Sequence, residues 1–212
     1  MEGARWYRQR CASPALPWLA GETLQVADGQ RVWVRALGPQ DAKAERHFFS
    51  ALSPRSRYRR FLLSAPSLSE PTLRALTEVD QQRHVALIAL ADVVEPGNVE
   101  AQIVADARYV WENQGCSAEF AIAVADDWQR QGLGTLLMRH LAEHACQAGV
   151  RQLFGYVLAD NLPMQALVRA LGGEVVAHPE DQDLCLARLD LTPSRLGIEV
   201  ASRDLEALYS LI

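Results

Sequence analysis

The chain is expected to fold as an α/β domain whose sheet contains both antiparallel and parallel pairs. Three observations lead there. Glu95, Pro96, Gly97 and Asn98 form a turn sequence between two long apolar runs, which marks an antiparallel hairpin. The second half alternates strand, helix, strand, helix and strand patterns, the signature of a crossover with some parallel pairing. The third is size: 212 residues, 49% hydrophobic and 22% charged, suffice for a packed core without crosslinks.

The elements follow in order. Arg31 to Ala36 alternates and makes a first strand. Pro39 to Leu52 carries an Ala/Phe face behind an early proline and makes a helix. Ser53 before Pro54 signals another helix start, and Ser69 to Thr77 a third short helix. His84 to Asp92 and Val99 to Val110 are the hairpin strands, and Ser117 to Val124 is a further alternating strand. From Gly132 to Ala148, Leu133, Leu136, Leu137, Leu141 and Ala145 recur at helical spacing until Gly149 stops them. Arg151 to Leu158 is a strand, Leu162 to Leu171 a helix ended by two glycines, and Gly173 to Ala177 and Leu184 to Leu191 are the last strands. This places the domain at residues 26–191, with an N-terminal arm at 1–25 and a C-terminal extension at 192–212. Leu205, Leu208, Tyr209 and Leu211 give that extension one apolar face, suited to packing on the domain or to a homodimer contact.

Composition excludes several classes. A net charge of −5 argues against a nucleic-acid partner and is compatible with a cationic one. No apolar run approaches the ~20 residues of a membrane span. Prolines 14 and 17 interrupt any leader-like stretch. Cys11, Cys116, Cys146 and Cys185 are scattered without metal spacing, so free thiols, no metal site and a cytoplasmic location are expected.

The chemistry is concentrated between Val124 and Thr135. Gln129, Gly132 and Gly134 spell Q-x-x-G-x-G between a strand and the longest helix. Glycines allow a tight turn with no Cβ in the way. The first-turn N–H groups of the helix have no internal partners and, with the helix dipole, suit an anion. A phosphate or diphosphate is therefore expected on residues 130 to 135. The loop lacks the Gly-Lys-Ser/Thr of a Walker site and the third glycine of a dinucleotide fold.

With its flanking strand, the Leu-rich helix, the next strand and Asn161 opening a glycine-ended helix, this segment resembles the GCN5-related N-acetyltransferase (GNAT) superfamily. The likeness spans Gln30 to Leu191. It implies a mixed, mostly antiparallel sheet with a splayed strand pair, and acetyl-CoA as acyl donor. Its pantetheine would lie beside Val124, its diphosphate on Gln129, Arg130, Gln131, Gly132, Leu133, Gly134 and Thr135, and its thiol end near Asn161. Leu52 to Phe61 and Ala118 to Ala121 further resemble bacterial Pat-type protein lysine acetyltransferases. That likeness implies an amine acceptor, first a protein lysine, then a small-molecule amine. A non-catalytic acyl-CoA-binding module is the reading from another class.

Glu119 is the candidate base. Ala118, Phe120, Ala121 and Ile122 adjoin it in sequence, a setting expected to desolvate it and suit it to taking up a proton; an edge carboxylate pointing to solvent is the alternative. The resemblance implies a glutamate at this place. It also implies a tyrosine seven residues after Asn161 as acid, but Val168 stands there. Tyr58, Arg59 and Arg60 are read as packing and solvated charge, with the shaping of an acceptor groove as the alternative, Asp126 and Asp127 as solvent-facing, and Trp128 as packing beneath the loop.

Overall fold

The computed structural model describes residues 21–27, 29–62, 67–95, 98–112 and 115–191. Most of the expected arm and all of the C-terminal extension lie outside the described residues. Eight strands form one sheet: β1 Glu22–Gln25, β2 Arg31–Ala36, β3 His84–Glu95, β4 Asn98–Trp111, β5 Ser117–Val124, β6 Gln152–Leu158, β7 Glu174–Ala177 and β8 Leu184–Asp190. Among the described residues five α-helices accompany them: α1 Ala42–Ala51, α2 Pro54–Phe61, α3 Glu70–Thr77, α4 Leu133–Gln147 and α5 Leu162–Ala170. The strand order is β1-β2-β3-β4-β5-β6-β8-β7. Strand β1 pairs with β2 from Glu22 to Gln25, so the sheet reaches into the stretch read as an arm. That strand has only four residues and little alternation of its own, and pairing supplies what its sequence lacks.

Alternation along each strand sorts residues onto two faces. On one face Leu137, Leu141 and Ala145 of α4 pack on Leu87, Ala107 and Tyr109. On the other, Phe48 and Leu52 pack on Ala86, Ile88 and Ile103. Phe49 and Leu73 extend this second layer between α1 and α3.

Antiparallel pairing runs through the sheet except between β5 and β6, which α4 joins as a crossover. These two strands pair in parallel only at Ser117–Gln152, Ala118–Leu153 and Glu119–Phe154. Beyond Glu119 and Phe154 they part. The stretches Phe120–Val124 and Gly155–Leu158 then line a gap, and the gap-facing backbone groups of β5 have no partner on β6. The parting fits the splayed pair the resemblance implied. At Val104 the β3–β4 register slips, and its carbonyl takes the N–H of Ala125 (2.8 Å), which turns the chain out of β5 toward the glycine loop.

Candidate active site

The gap between β5 and β6 opens into a cavity of about 1030 Å³. Its walls are β5 from Glu119 to Val124, Tyr156 and Val157 of β6, the start of α4, one face of α5, and α2 lying across the top. The loop at its mouth is shaped by two left-handed residues, Arg130 (φ 62°) and Gly132 (φ 85°). Glycine carries this geometry without penalty, whereas Arg130 costs about 1 kcal/mol. The conformation is held from behind. Ala27 donates its N–H to the Gln131 carbonyl (3.1 Å), and Gln131 Nε2 donates to the Asp127 carbonyl (3.0 Å). Leu133 is fully buried and pins the helix start to the core.

As a result, no N–H from Arg130 to Thr135 donates to another described residue of the chain. The helix dipole and these donors converge on one end of the cavity. Gly134 is needed for a different reason: a Cβ there would come within 3.1 Å of Leu167 Cδ1 and 3.6 Å of Val124 Cγ2, where α4, α5 and β5 meet.

The structure brings together most of the expected residues. Glu119, Val124, Gln129, Arg130, Gly132, Gly134, Thr135 and Asn161 all line the cavity. Gln131 and Leu133 do not; their side chains anchor the loop, and only their backbone N–H groups belong to its anion-facing edge. Gln129 also ties elements together, since its Nε2 donates to the Val124 carbonyl (3.0 Å) and to Ser56 Oγ (3.2 Å). Asn161 caps α5, its Oδ1 accepting from Met164 N–H (3.4 Å).

Glu119 differs from expectation. It is exposed at the cavity wall rather than enclosed. Ala118 and Phe120 point to the opposite face, as strand alternation requires, so apolar neighbours in sequence do not surround it. Among the described residues it has no hydrogen bond or ion pair. Val168 is fully buried in the core, so α5 offers no acid at that position.

Several wall residues were not anticipated. Asp126 caps α2, accepting from Ser53 N–H (2.8 Å), Ser53 Oγ (2.8 Å) and Ser56 Oγ (2.7 Å). Partial burial pushes its carboxyl up, but these donors outweigh that and hold it below the usual range. Asp126 and Asp127 are both exposed as expected, though the capping role of Asp126 was not foreseen, and Trp128 packs against the core under the loop. On the far lip Arg59 donates to the Asp160 carbonyl (3.2 Å) and Arg55 meets the Asp160 carboxylate (3.3 Å). Helix α2 therefore bridges the loops that follow both parted strands. Local sequence carries little trace of contacts spanning 70 to 105 positions.

Arg60 corrects the reading of α2 as solvated charge. Its side chain is 10% exposed and sits 3.7 Å from Asp106. Asp106 in turn is gripped by Arg108, which also donates to Glu45 (3.3 Å) and to the Leu76 carbonyl (2.8 Å). This buried ionic group joins α1, α2, α3 and β4 directly beneath the cavity wall.

Within the group, burial and then the Asp106 carboxylate push Glu45 up to about 8, against the pull of Arg108 and Arg60. A folded-state value above the unfolded one stabilises fully below about pH 4.5, and that contribution is lost as pH rises to about 8. Glu45→Gln has no carboxyl to ionise and should lose less stability than wild type across this window. Urea denaturation at pH 5 and pH 8 measures it; equal losses in both proteins would refute the assignment.

A strand pair parted beside a glycine-turned helix start, under a bridging helix, is the arrangement that the resemblance to the acetyltransferases implied. The Acetyltransferase (GNAT) family model matches residues 53–172, and the protein belongs to this family. Acetyltransferase PA5475 of Pseudomonas aeruginosa is 37% identical over 164 residues, which cover 77% of this chain and 86% of that one. Acetyltransferase Pat of Mycolicibacterium smegmatis is 31% identical over 190 residues, covering 88% of this chain but 52% of Pat, about half its length. The crystal structure of the GNAT domain of S. lividans PAT superposes with a TM-score of 0.72 over 84% of this chain and 99% of that domain, at 24% identity, and shares the fold.

Proposed function

We propose that the enzyme transfers the acetyl group of acetyl-CoA to a primary amine, with a protein lysine as its acceptor, by direct attack in a ternary complex. One observation carries this reading: a cavity with free N–H donors at one end and the unpaired Glu119 carboxylate along the same β5 wall. The diphosphate of acetyl-CoA suits the Arg130–Thr135 donors, and its arm suits the unpaired backbone of β5. The likeness to acetyltransferase Pat and the Pat-like stretch from Leu52 to Phe61 support a protein lysine over a small amine.

The amine must lose a proton to react. For free lysine that costs about 4.6 kcal/mol at pH 7. Glu119, exposed to the cavity and without a partner, takes the proton as the nitrogen attacks, directly or through water. The start of α4 fixes the donor end, so orientation rather than charge at the carbonyl is what the loop supplies.

Incubation with isotope-labelled acetyl-CoA and a bacterial protein extract, followed by mass spectrometry, tests the reading. Labelled acetyl-lysines are expected. Acetylated polyamines without acetylated protein would reassign the acceptor. Acetyl-CoA binding with no transfer to either would favour a non-catalytic module.

A further inference from the structure

We propose that Tyr156 is the catalytic acid that protonates the departing CoA thiolate; this rests on the acetyl-CoA reading above. The leaving sulfur must gain a proton, and fully buried Val168 leaves α5 without a donor for it.

The gap itself locates the reacting end. Pairing of β5 with β6 stops at Glu119 and Phe154, which close the gap. A donor arm entering at the Gly132–Thr135 loop and following β5 ends at this closed point. Tyr156 is the second residue past Phe154, hence on the same face as Phe154, and the register puts Glu119 on that face as well. Base and phenol therefore flank the closed end of the gap from opposite strands.

Tyr156 is 43% exposed and is the phenol among the cavity-lining residues. Its ring is held edge-on by Phe154 (centroids 6.4 Å apart) and by His178 (5.7 Å). Its hydroxyl has no hydrogen-bond partner among the described residues. The other hydroxyls on the wall are placed for other work: Ser56 donates to Asp126 (2.7 Å), and Thr135 sits at the loop end.

The step balances without a further reactant. The amine lone pair forms the C–N bond, and its proton passes to Glu119 and then to solvent. The C–S bond breaks, and sulfur keeps the electron pair and takes the Tyr156 hydroxyl proton. Tyr156 recovers a proton from water. A phenol is ordinarily a weaker acid than a thiol, so the proton moves as the C–S bond breaks, when charge on sulfur is rising.

Tyr156→Phe keeps the ring contacts and removes the hydroxyl. With acetyl-CoA and polylysine, kcat for CoA release should fall about 100-fold, while KM for acetyl-CoA stays within about twofold. Hydrolysis of acetyl-CoA has the same leaving group and serves as readout if polylysine is not acetylated. Full activity in Tyr156→Phe, or impairment only in Tyr156→Leu, would assign the ring to packing and overturn the proposal. Calorimetry separates the two readings. A wild-type protein that neither binds nor cleaves acetyl-CoA overturns both; one that cleaves it equally well with and without the hydroxyl overturns this one alone.

Discussion

Glu119→Gln is expected to lower kcat for acetyl transfer by about 10²–10⁴-fold while leaving acetyl-CoA affinity within about twofold of wild type. The reason is the division of labour along β5. Glu119 stands at the last residue pair before the strands part, opposite Val110 of β4 and Phe154 of β6. The N–H donors of the Arg130–Thr135 loop lie beyond the other end of the strand. Glutamine keeps the shape of the side chain and cannot take a proton. The carboxylate has no partner among the described residues, so its loss leaves no orphaned group and the melting temperature should not move. Steady-state kinetics with isothermal titration of acetyl-CoA separates the two effects. Wild-type turnover in the variant would remove Glu119 from the mechanism. A loss confined to KM would make it a binding residue instead.

Arg108→Ala is expected to destabilise the fold by about 3–5 kcal/mol, because it strips a buried charge of its partner. Arg108 holds Asp106 through Nε (3.0 Å) and Nη2, Glu45 through Nη2 and the Leu76 carbonyl through Nη1. Asp106 and Glu45 are nearly solvent-free, so water cannot replace the guanidinium. For a chain of this length the change corresponds to a fall in melting temperature of roughly 6–20 °C. Arg46 gives the contrasting case. It meets Glu70 at 2.5 Å, but both side chains are largely in solvent. Its replacement by alanine should change stability by less than about 1 kcal/mol. Calorimetric melting of the two variants side by side measures the difference that burial makes. A small shift in Arg108→Ala would mean that the cavity wall does not depend on this ionic group. Because Arg60 belongs to both the group and the wall, the destabilised protein should also lose activity well below its melting point.

Much of the fold was legible before any coordinates. Ser53 and Ser69 stand at the starts of α2 and α3, and their side chains accept the backbone N–H of Ser56 and Thr72. Gly149 ends the α4 pattern, and the long apolar runs on either side of Pro96 and Gly97 pair as a hairpin. Such signals act over about four residues, so a linear reading captures them. The same holds for the glycine loop, whose free N–H groups follow from helix geometry alone.

The chain's own pattern thus determined the order and nature of the elements from β2 to β8, the anion-suited loop and the carboxylate on β5. Tertiary structure alone decided where β5 and β6 part, that Glu119 faces the cavity instead of the core, that Arg60 is buried, and that Asp126 and Asp160 hold α2 across the gap. The physical reason is range. Turns, caps and periodicities are settled among near neighbours, whereas register, burial and the partners of a charge depend on groups 50 or more positions away, brought together only when the layers pack.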